Sequence, residues 1–212
     1  MRHYLAGLSC MGLVTAILCG FPEAQAAKIP LQGASGFDDL VRVQFDPQLR
    51  QTRVAGRVAS HLCFSLALQQ EWRSTTGGME TRLKSVLSDA ELEVGLRPAH
   101  ELRGLPQADL ASRDAALLQQ DYESLLGRPA QSVSLVSLSP ETTRWSATWV
   151  DAHLPSGPLT VEAFIVPLSD DWVLELSFSN VPVKEEYDSL VRSLLAGLKV
   201  HHGPGCGSQM AF

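Results

Sequence analysis

The sequence predicts an α+β fold, with a mainly helical N-terminal half followed by a four-stranded antiparallel meander covered by a C-terminal amphipathic helix. Three observations lead to this prediction. Apolar residues recur at helical spacing in the first half, four short strand-like runs follow, and an apolar stripe closes the chain. We expect a single domain over residues 27–212, with a helical half at about 47–128, a sheet-plus-helix half at about 129–200 and a tail at 201–212.

The first 26 residues have the layout of a secretory signal peptide. Arg2 precedes an uncharged apolar run that leads to the small-residue pattern Ala24-Gln25-Ala26, so we expect cleavage before Ala27. A membrane anchor is the alternative, but the apolar run is short. A lipoprotein is disfavoured because Leu18 precedes Cys19, where a small side chain is required. We therefore expect a periplasmic or secreted protein that does not span the membrane after cleavage.

The first half begins with a strand-like run at residues 40–46 and then becomes ambiguous at residues 47–73. Apolar residues recur every four positions from Val54 to Leu66, as on a helix, yet they alternate from Leu62 to Leu68, as in a strand. The dipeptide Asp46-Pro47 is typical of a helix start. We favour a helix here and keep a strand as the alternative.

Two further helices are predicted in the first half. Residues 79–94 place their apolar side chains on one helical face. Residues 106–126 do the same, and Gly127 provides a typical helix stop.

The second half reads as alternating short strands and turns. The predicted strands are 132–139, 143–153, 159–168 and 172–180. Their short connections favour antiparallel neighbours. An apolar stripe over 182–200 then predicts a helix that lies across this meander.

Two of the four cysteines lie within the predicted signal peptide, which leaves Cys63 and Cys206 in the mature chain. In an oxidising compartment an even number of cysteines predicts a disulfide between them. The alternative is a metal site formed by Cys206 with His201 and His202. We disfavour it because neighbouring histidines point in different directions and no second ligand cluster accompanies them. We predict no metal site.

The chain carries 17 basic and 23 acidic residues, a net charge of −6, and its basic residues are scattered. It therefore lacks the electropositive surface that nucleic acid requires, and we expect no nucleic-acid partner.

Catalytic signatures are incomplete in this sequence. The run "GASGF" at 33–37 falls one residue short of a serine-hydrolase turn, and "HELRG" at 100–104 begins a zinc-hydrolase motif but lacks its second histidine. No phosphate-binding glycine motif occurs. We assign no catalytic residue and no cofactor, and we favour a protein that is not an enzyme.

Trp145 and Trp149 are the candidate contact residues for a partner or ligand, with Asp151 continuing their row. In a strand the three side chains point to the same face. An exposed aromatic pair suits a partner protein, whereas a buried face beneath a helix is the commoner explanation for such a pair.

Two functional hypotheses follow. The first is an exported, non-catalytic envelope protein that binds another protein, as an inhibitor, an immunity-type antagonist of a delivered toxin, or an accessory subunit. The second is a small-molecule or lipid-binding domain, or a hydrolase whose active-site residues converge only in the fold. A concave apolar pocket containing a few polar groups would favour the second.

Overall fold

Two antiparallel β-sheets and two α-helices form the part of the chain that the structure describes. The structure is a computed structural model, and it describes residues 41–75, 80–150, 157–203 and 206. The described residues all fall within one compact unit. The predicted signal peptide lies outside them.

The smaller sheet has four strands in the order β1-β2-β3-β11. These strands are Val41–Asp46 (β1), Gln51–Ala59 (β2), Leu62–Gln69 (β3) and Lys199–His202 (β11). Each neighbouring pair runs antiparallel. The chain thus returns to this sheet with β11, after forming other strands in between.

The larger sheet has seven strands in the order β4-β5-β6-β10-β9-β8-β7. These strands are Trp72–Ser74 (β4), Glu80–Ser85 (β5), Glu91–Pro98 (β6), Ser132–Ser139 (β7), Thr142–Trp149 (β8), Leu159–Ser169 (β9) and Trp172–Ser179 (β10). All of its pairs are antiparallel. The pairing of β6 with β10 joins the two halves of the chain into one sheet.

Helix α1 spans Leu110–Leu126, and helix α2 spans Lys184–Gly197. Asp109 caps the start of α1 by accepting a hydrogen bond from the Ser112 amide at 2.9 Å. Gly127 ends α1 in a left-handed conformation, with φ of 68°.

One face of the larger sheet forms a core with the smaller sheet and α2. Alternate residues along β10 point into this core, including Leu174 and Leu176, and they meet Phe64 and Leu66 of β3 together with Leu194 of α2. All five side chains are at most 2 % exposed. The opposite face forms a second core beneath α1, which is centred on β8, β9 and β10.

The predicted helical half is wrong, and so therefore is the fold class, because the described residues are mostly in β-strands. Residues 51–69 form the hairpin β2–β3, and much of the predicted helix at 79–94 falls in β5 and β6. Burial alternates along these segments, for example in β6, where every second residue is buried. Their apolar side chains fill the face of a sheet, which requires the extended period of two.

Asp46-Pro47 begins a turn and not a helix. The Asp46 carboxylate accepts hydrogen bonds from the amides of Gln48 and Leu49 at 2.9 and 3.1 Å, as a helix cap does. The chain then reverses into β2, with Arg50 in a left-handed conformation at φ of 50°. The same capping chemistry thus closes the β1–β2 hairpin.

The second half also differs from its prediction. Its four strands pair in sequence order, but they do not form a separate sheet and belong to the seven-stranded sheet. Helix α2 packs against β3 of the other sheet. Gly197 permits this close approach, since a Cβ atom there would lie 3.1 Å from the Ala67 carbonyl oxygen. Tyr187 of α2 also reaches the larger sheet, where its hydroxyl donates to Glu162 at 2.5 Å.

Candidate functional site

Strand β7 forms one border of the larger sheet. It pairs with β8 on one side, and within the described residues no strand lies on its other side. All eight of its residues are exposed. The outward amides and carbonyls of such a strand can pair with an incoming strand.

The composition of β7, SVSLVSLS, is unusual for an open border because it contains only serine and aliphatic residues. Its four aliphatic side chains are between 38 % and 45 % exposed, and they are Val133, Leu135, Val136 and Leu138. Protein edges are usually protected by charged residues, proline or short length. β7 has none of these protections.

The two faces of β7 both carry aliphatic side chains. Val133 and Leu135 lie opposite Ala147 and Trp145 of β8, so they share the face on which α1 packs. Val136 lies opposite Arg144 and points to the other face. An added strand would therefore find apolar contacts on both sides of the sheet.

The predicted contact residues Trp145 and Trp149 lie in the core beneath α1, where they are 1 % and 0 % exposed. The Tyr122 ring of α1 packs on both indoles, with a centroid distance of 5.9 Å to each. Neither tryptophan offers surface to a partner, and the buried alternative is the one observed. Asp151 lies outside the described residues.

The tryptophans support β7 from the neighbouring strand β8 and do not form the contact surface. Leu135 lies directly opposite Trp145 in the register of β7 and β8. The Trp149 indole donates to the Arg128 carbonyl at 3.3 Å, in the segment that connects α1 to β7. They hold the start of β7 in place against α1 and β8.

The predicted cysteine pair is at disulfide distance. The Cα atoms of Cys63 and Cys206 are 5.7 Å apart, and both residues are at most 2 % exposed. His201 lies opposite Cys63 in the pairing of β11 with β3. The pair therefore links the end of β11 to β3 and closes that border of the smaller sheet.

A buried charged cluster lies between α1 and the larger sheet. Arg97 of β6 contacts Asp114 of α1, with Nε 3.0 Å from a carboxylate oxygen, and it also pairs with Glu175 of β10. Asp114 is completely buried, whereas Arg97 and Glu175 are each less than one-fifth exposed. Arg97 Nη1 also lies 3.9 Å from Glu101, so one guanidinium serves three carboxylates.

Burial raises the pKa of Asp114 to about 8, and the negative charge of Glu175 adds to this effect. The attraction of Arg97 acts in the opposite direction and is the weaker influence, because Arg97 is shared with Glu175. Asp114 is therefore mainly protonated at neutral pH. The cluster fixes α1 over β6 and β10.

Two cavities border this region. A groove of about 230 Å³ beside the cluster is lined by residues that include Glu80, Glu93 and Glu101. A second cavity of about 540 Å³ lies between the β9–β10 turn and the start of α1. Its lining includes Arg103, Arg113, Asp170 and Asp171. Charged residues predominate in both linings, whereas a lipid or small-molecule site is mostly apolar with a few polar groups; the larger cavity also contains Leu110 and Trp172.

The described residues show neither a metal-ion cluster nor a membrane-spanning helix. They contain no group of three or more histidine, cysteine, aspartate or glutamate residues placed to hold a metal ion. None of the helices within them combines the length and the apolar character needed to cross a bilayer.

The sequence signal for β7 is its lack of charge over eight residues, which aromatic and catalytic motifs do not reveal. A strand with aliphatic residues at both odd and even positions has no polar face to turn toward water. Its place at the border depends on the strand order and is visible only in the fold.

Comparisons with known proteins leave the family of this chain open. No protein-family model matches it, and no curated protein matches it. Among solved structures, the chain is similar to the solution structure of cyanobacterial PsbP (CyanoP) from Synechocystis sp. PCC 6803. The TM-score is 0.44 at 8 % sequence identity, and the match covers 80 % of this chain and 96 % of that chain.

Proposed function

We propose that this chain is an exported, non-catalytic protein that acts by binding another protein, and that β7 is its binding edge. A partner would add an extended strand antiparallel to β7 and thereby continue the seven-stranded sheet. The observation that carries the proposal is the open border itself, which has eight exposed residues, no charge and four exposed aliphatic side chains.

The exposed backbone and side chains of β7 determine the chemical character of the partner strand. Backbone pairing supplies affinity without regard to sequence, whereas the aliphatic side chains select apolar neighbours on each face. A charged residue opposite Leu135 or Val136 would be placed against an aliphatic side chain and would lose hydration. We therefore propose an uncharged, extended partner segment with small or aliphatic residues.

Export is supported by the cysteine pair. Cys63 and Cys206 are buried at disulfide distance, and such bonds persist in oxidising compartments. Inhibitors, immunity-type antagonists and accessory subunits of the cell envelope are the roles that fit an exported binding protein. The charged linings of the two cavities do not favour the small-molecule alternative.

The test is capture of a partner from the envelope of the protein's own cells, using the tagged chain from Ala27 onward with identification by mass spectrometry. The wild type is compared with Leu135→Lys, which places a charge at the centre of the edge. The matched control is Leu87→Lys, since Leu87 is 67 % exposed in the turn between β5 and β6, away from β7.

We expect one stoichiometric partner with the wild type and with Leu87→Lys, and at least a tenfold loss of that partner with Leu135→Lys. Circular dichroism and a thermal melt verify that both variants are folded. A partner that remains bound to folded Leu135→Lys would show that β7 is not the binding edge.

A further inference from the structure

The open border of β7 raises the question of what covers it when no partner is bound. An exposed, uncharged, aliphatic edge is a template for pairing with other chains. The chain's net charge of −6 keeps copies apart in general, but none of that charge lies on β7. β7 is therefore a place where two copies can meet without direct charge repulsion.

We propose that in the free protein β7 pairs antiparallel with β7 of a second copy, about a two-fold axis at Ser134, and that this dimer must open before a partner strand can bind. The opening of the dimer before a partner binds rests on the proposed function. The dimer itself depends only on the properties of β7.

The symmetry of the strand supports this pairing. A two-fold axis perpendicular to a sheet makes the strands antiparallel and keeps each face on its own side. With the axis at Ser134, Val133 of each copy lies opposite Leu135 of the other, on the face where α1 packs. Ser134 lies opposite itself, and Ser132 lies opposite Val136. The aliphatic side chains thus meet each other on one face.

The irregular end of β7 stays outside this pairing. The register with β8 shifts between Ser137 and Ser139, whereas residues 132–136 pair without interruption. A pairing centred on Ser134 uses this regular segment. A bulge twists a strand locally and hinders pairing beyond it.

The opposite border of the sheet explains why assembly stops at two copies. β4 has three residues and includes the charged Arg73, so it offers too short a ladder for β7 of a further copy. Pairing of β7 with β7 leaves a β4 border at each end of the joined seven-stranded sheets, and the assembly closes as a symmetric dimer. A five-residue ladder is a small interface, so a partner with more contacts can displace it.

The test uses single cysteines in the full mature chain under oxidising conditions. Ser134→Cys places the two new thiols opposite each other, within the Cα separations that disulfides accept. Ser132→Cys is the matched control, since the two copies of residue 132 would lie about 13 Å apart along the strands. Peptide mapping verifies that Cys63 and Cys206 remain joined to each other.

We expect Ser134→Cys to form a covalent dimer at least tenfold faster than Ser132→Cys. Light scattering should show the wild-type mass doubling with rising concentration and Leu135→Lys remaining monomeric. A monomeric wild type at millimolar concentration, or equal cross-linking by both variants, would overturn the dimer.

The two proposals can fail separately. A monomer that captures a partner through β7 removes the dimer and leaves the proposed function standing. A β7 dimer that captures no partner keeps the pairing and removes the proposed function.

Discussion

The two borders of the seven-stranded sheet are built in opposite ways. β4 is short, and its Trp72 is buried and anchored, with the indole donating to the Gln69 carbonyl at 2.9 Å. β7 is eight residues long, and every residue is exposed. The smaller sheet has two borders of its own: β11 is short and lies beside the cysteine pair, whereas β1 is six residues long and carries the charged Arg42 and Asp46. Among the borders in the described residues, β7 is thus the long one that carries no charge, while the others are short or charged.

The largest expected effect comes from opening a second border. Replacing Cys63 and Cys206 by serine removes the link that holds β11 on β3 and restores a long loop to the unfolded chain. We expect the free energy of unfolding to fall by up to about 5 kcal/mol. Chemical denaturation of the double variant measures this loss, and an unchanged midpoint would show that β11 is held by packing alone.

A second prediction compares the interior of the sheet with its open border. Leu174 of β10 is completely buried, whereas Leu135 of β7 is 44 % exposed. Leu174→Ala should cost about 2–5 kcal/mol because it leaves a cavity between the sheets. Leu135→Ala should cost less than about 1 kcal/mol and yet weaken partner capture.

Urea unfolding of both alanine variants verifies this contrast between stability and binding. A loss of several kcal/mol for Leu135→Ala would mean that β7 serves the core and not a partner.

The interior could be predicted from the sequence only in part. Helix α1 was recognisable from its stripe and Gly127, and the strands after residue 129 from their turns. The hairpin β2–β3 was not, because the spacing of four residues between Val54 and Leu66 places side chains on one face of a helix and equally of a strand. Because four is a multiple of two, this spacing does not distinguish a helix from a strand, and the tertiary contacts of the segment decide between the two.

The site was less predictable than the fold. The border position of β7 follows from β6 pairing with β10, a contact between distant parts of the chain that no local pattern encodes. Trp145 and Trp149 were predicted as contact residues because they are large aromatic side chains, but their spacing equally suits a core beneath a helix. The buried contact between Asp114 and Arg97 likewise depends on how α1 lies on the sheet.

A third prediction concerns the face that α1 closes. The pKa of Asp114 is about 8 in the folded protein and about 3.9 in an unfolded chain. At pH values between these two pKa values, Asp114 keeps its proton in the folded state and has released it in the unfolded state. The free energy of unfolding therefore falls as the pH rises from about 4 to about 8, by at most about 1.4 kcal/mol per pH unit.

Asp114→Asn keeps the shape of the protonated side chain and does not titrate. We expect its stability to lose this slope, so that its advantage over the wild type grows with pH and levels off above about 8. Denaturation at a series of pH values measures the difference. Parallel curves for the two proteins would mean that Arg97 keeps Asp114 charged.

The smallest expected effect is the salt dependence of partner affinity. It distinguishes binding at β7 from binding at the charged surface at the other end of the sheet. Backbone pairing and aliphatic contacts carry no net charge, so partner affinity should change less than about twofold between about 50 and about 500 mM salt. The outer face of β5 and β6 would behave differently, because Arg82 bridges Glu80 and Glu93 there. Titration calorimetry with the captured partner measures the salt dependence. A tenfold weakening over this range would place the contact on charged side chains, since screening acts on ion pairs and leaves the strand ladder largely untouched.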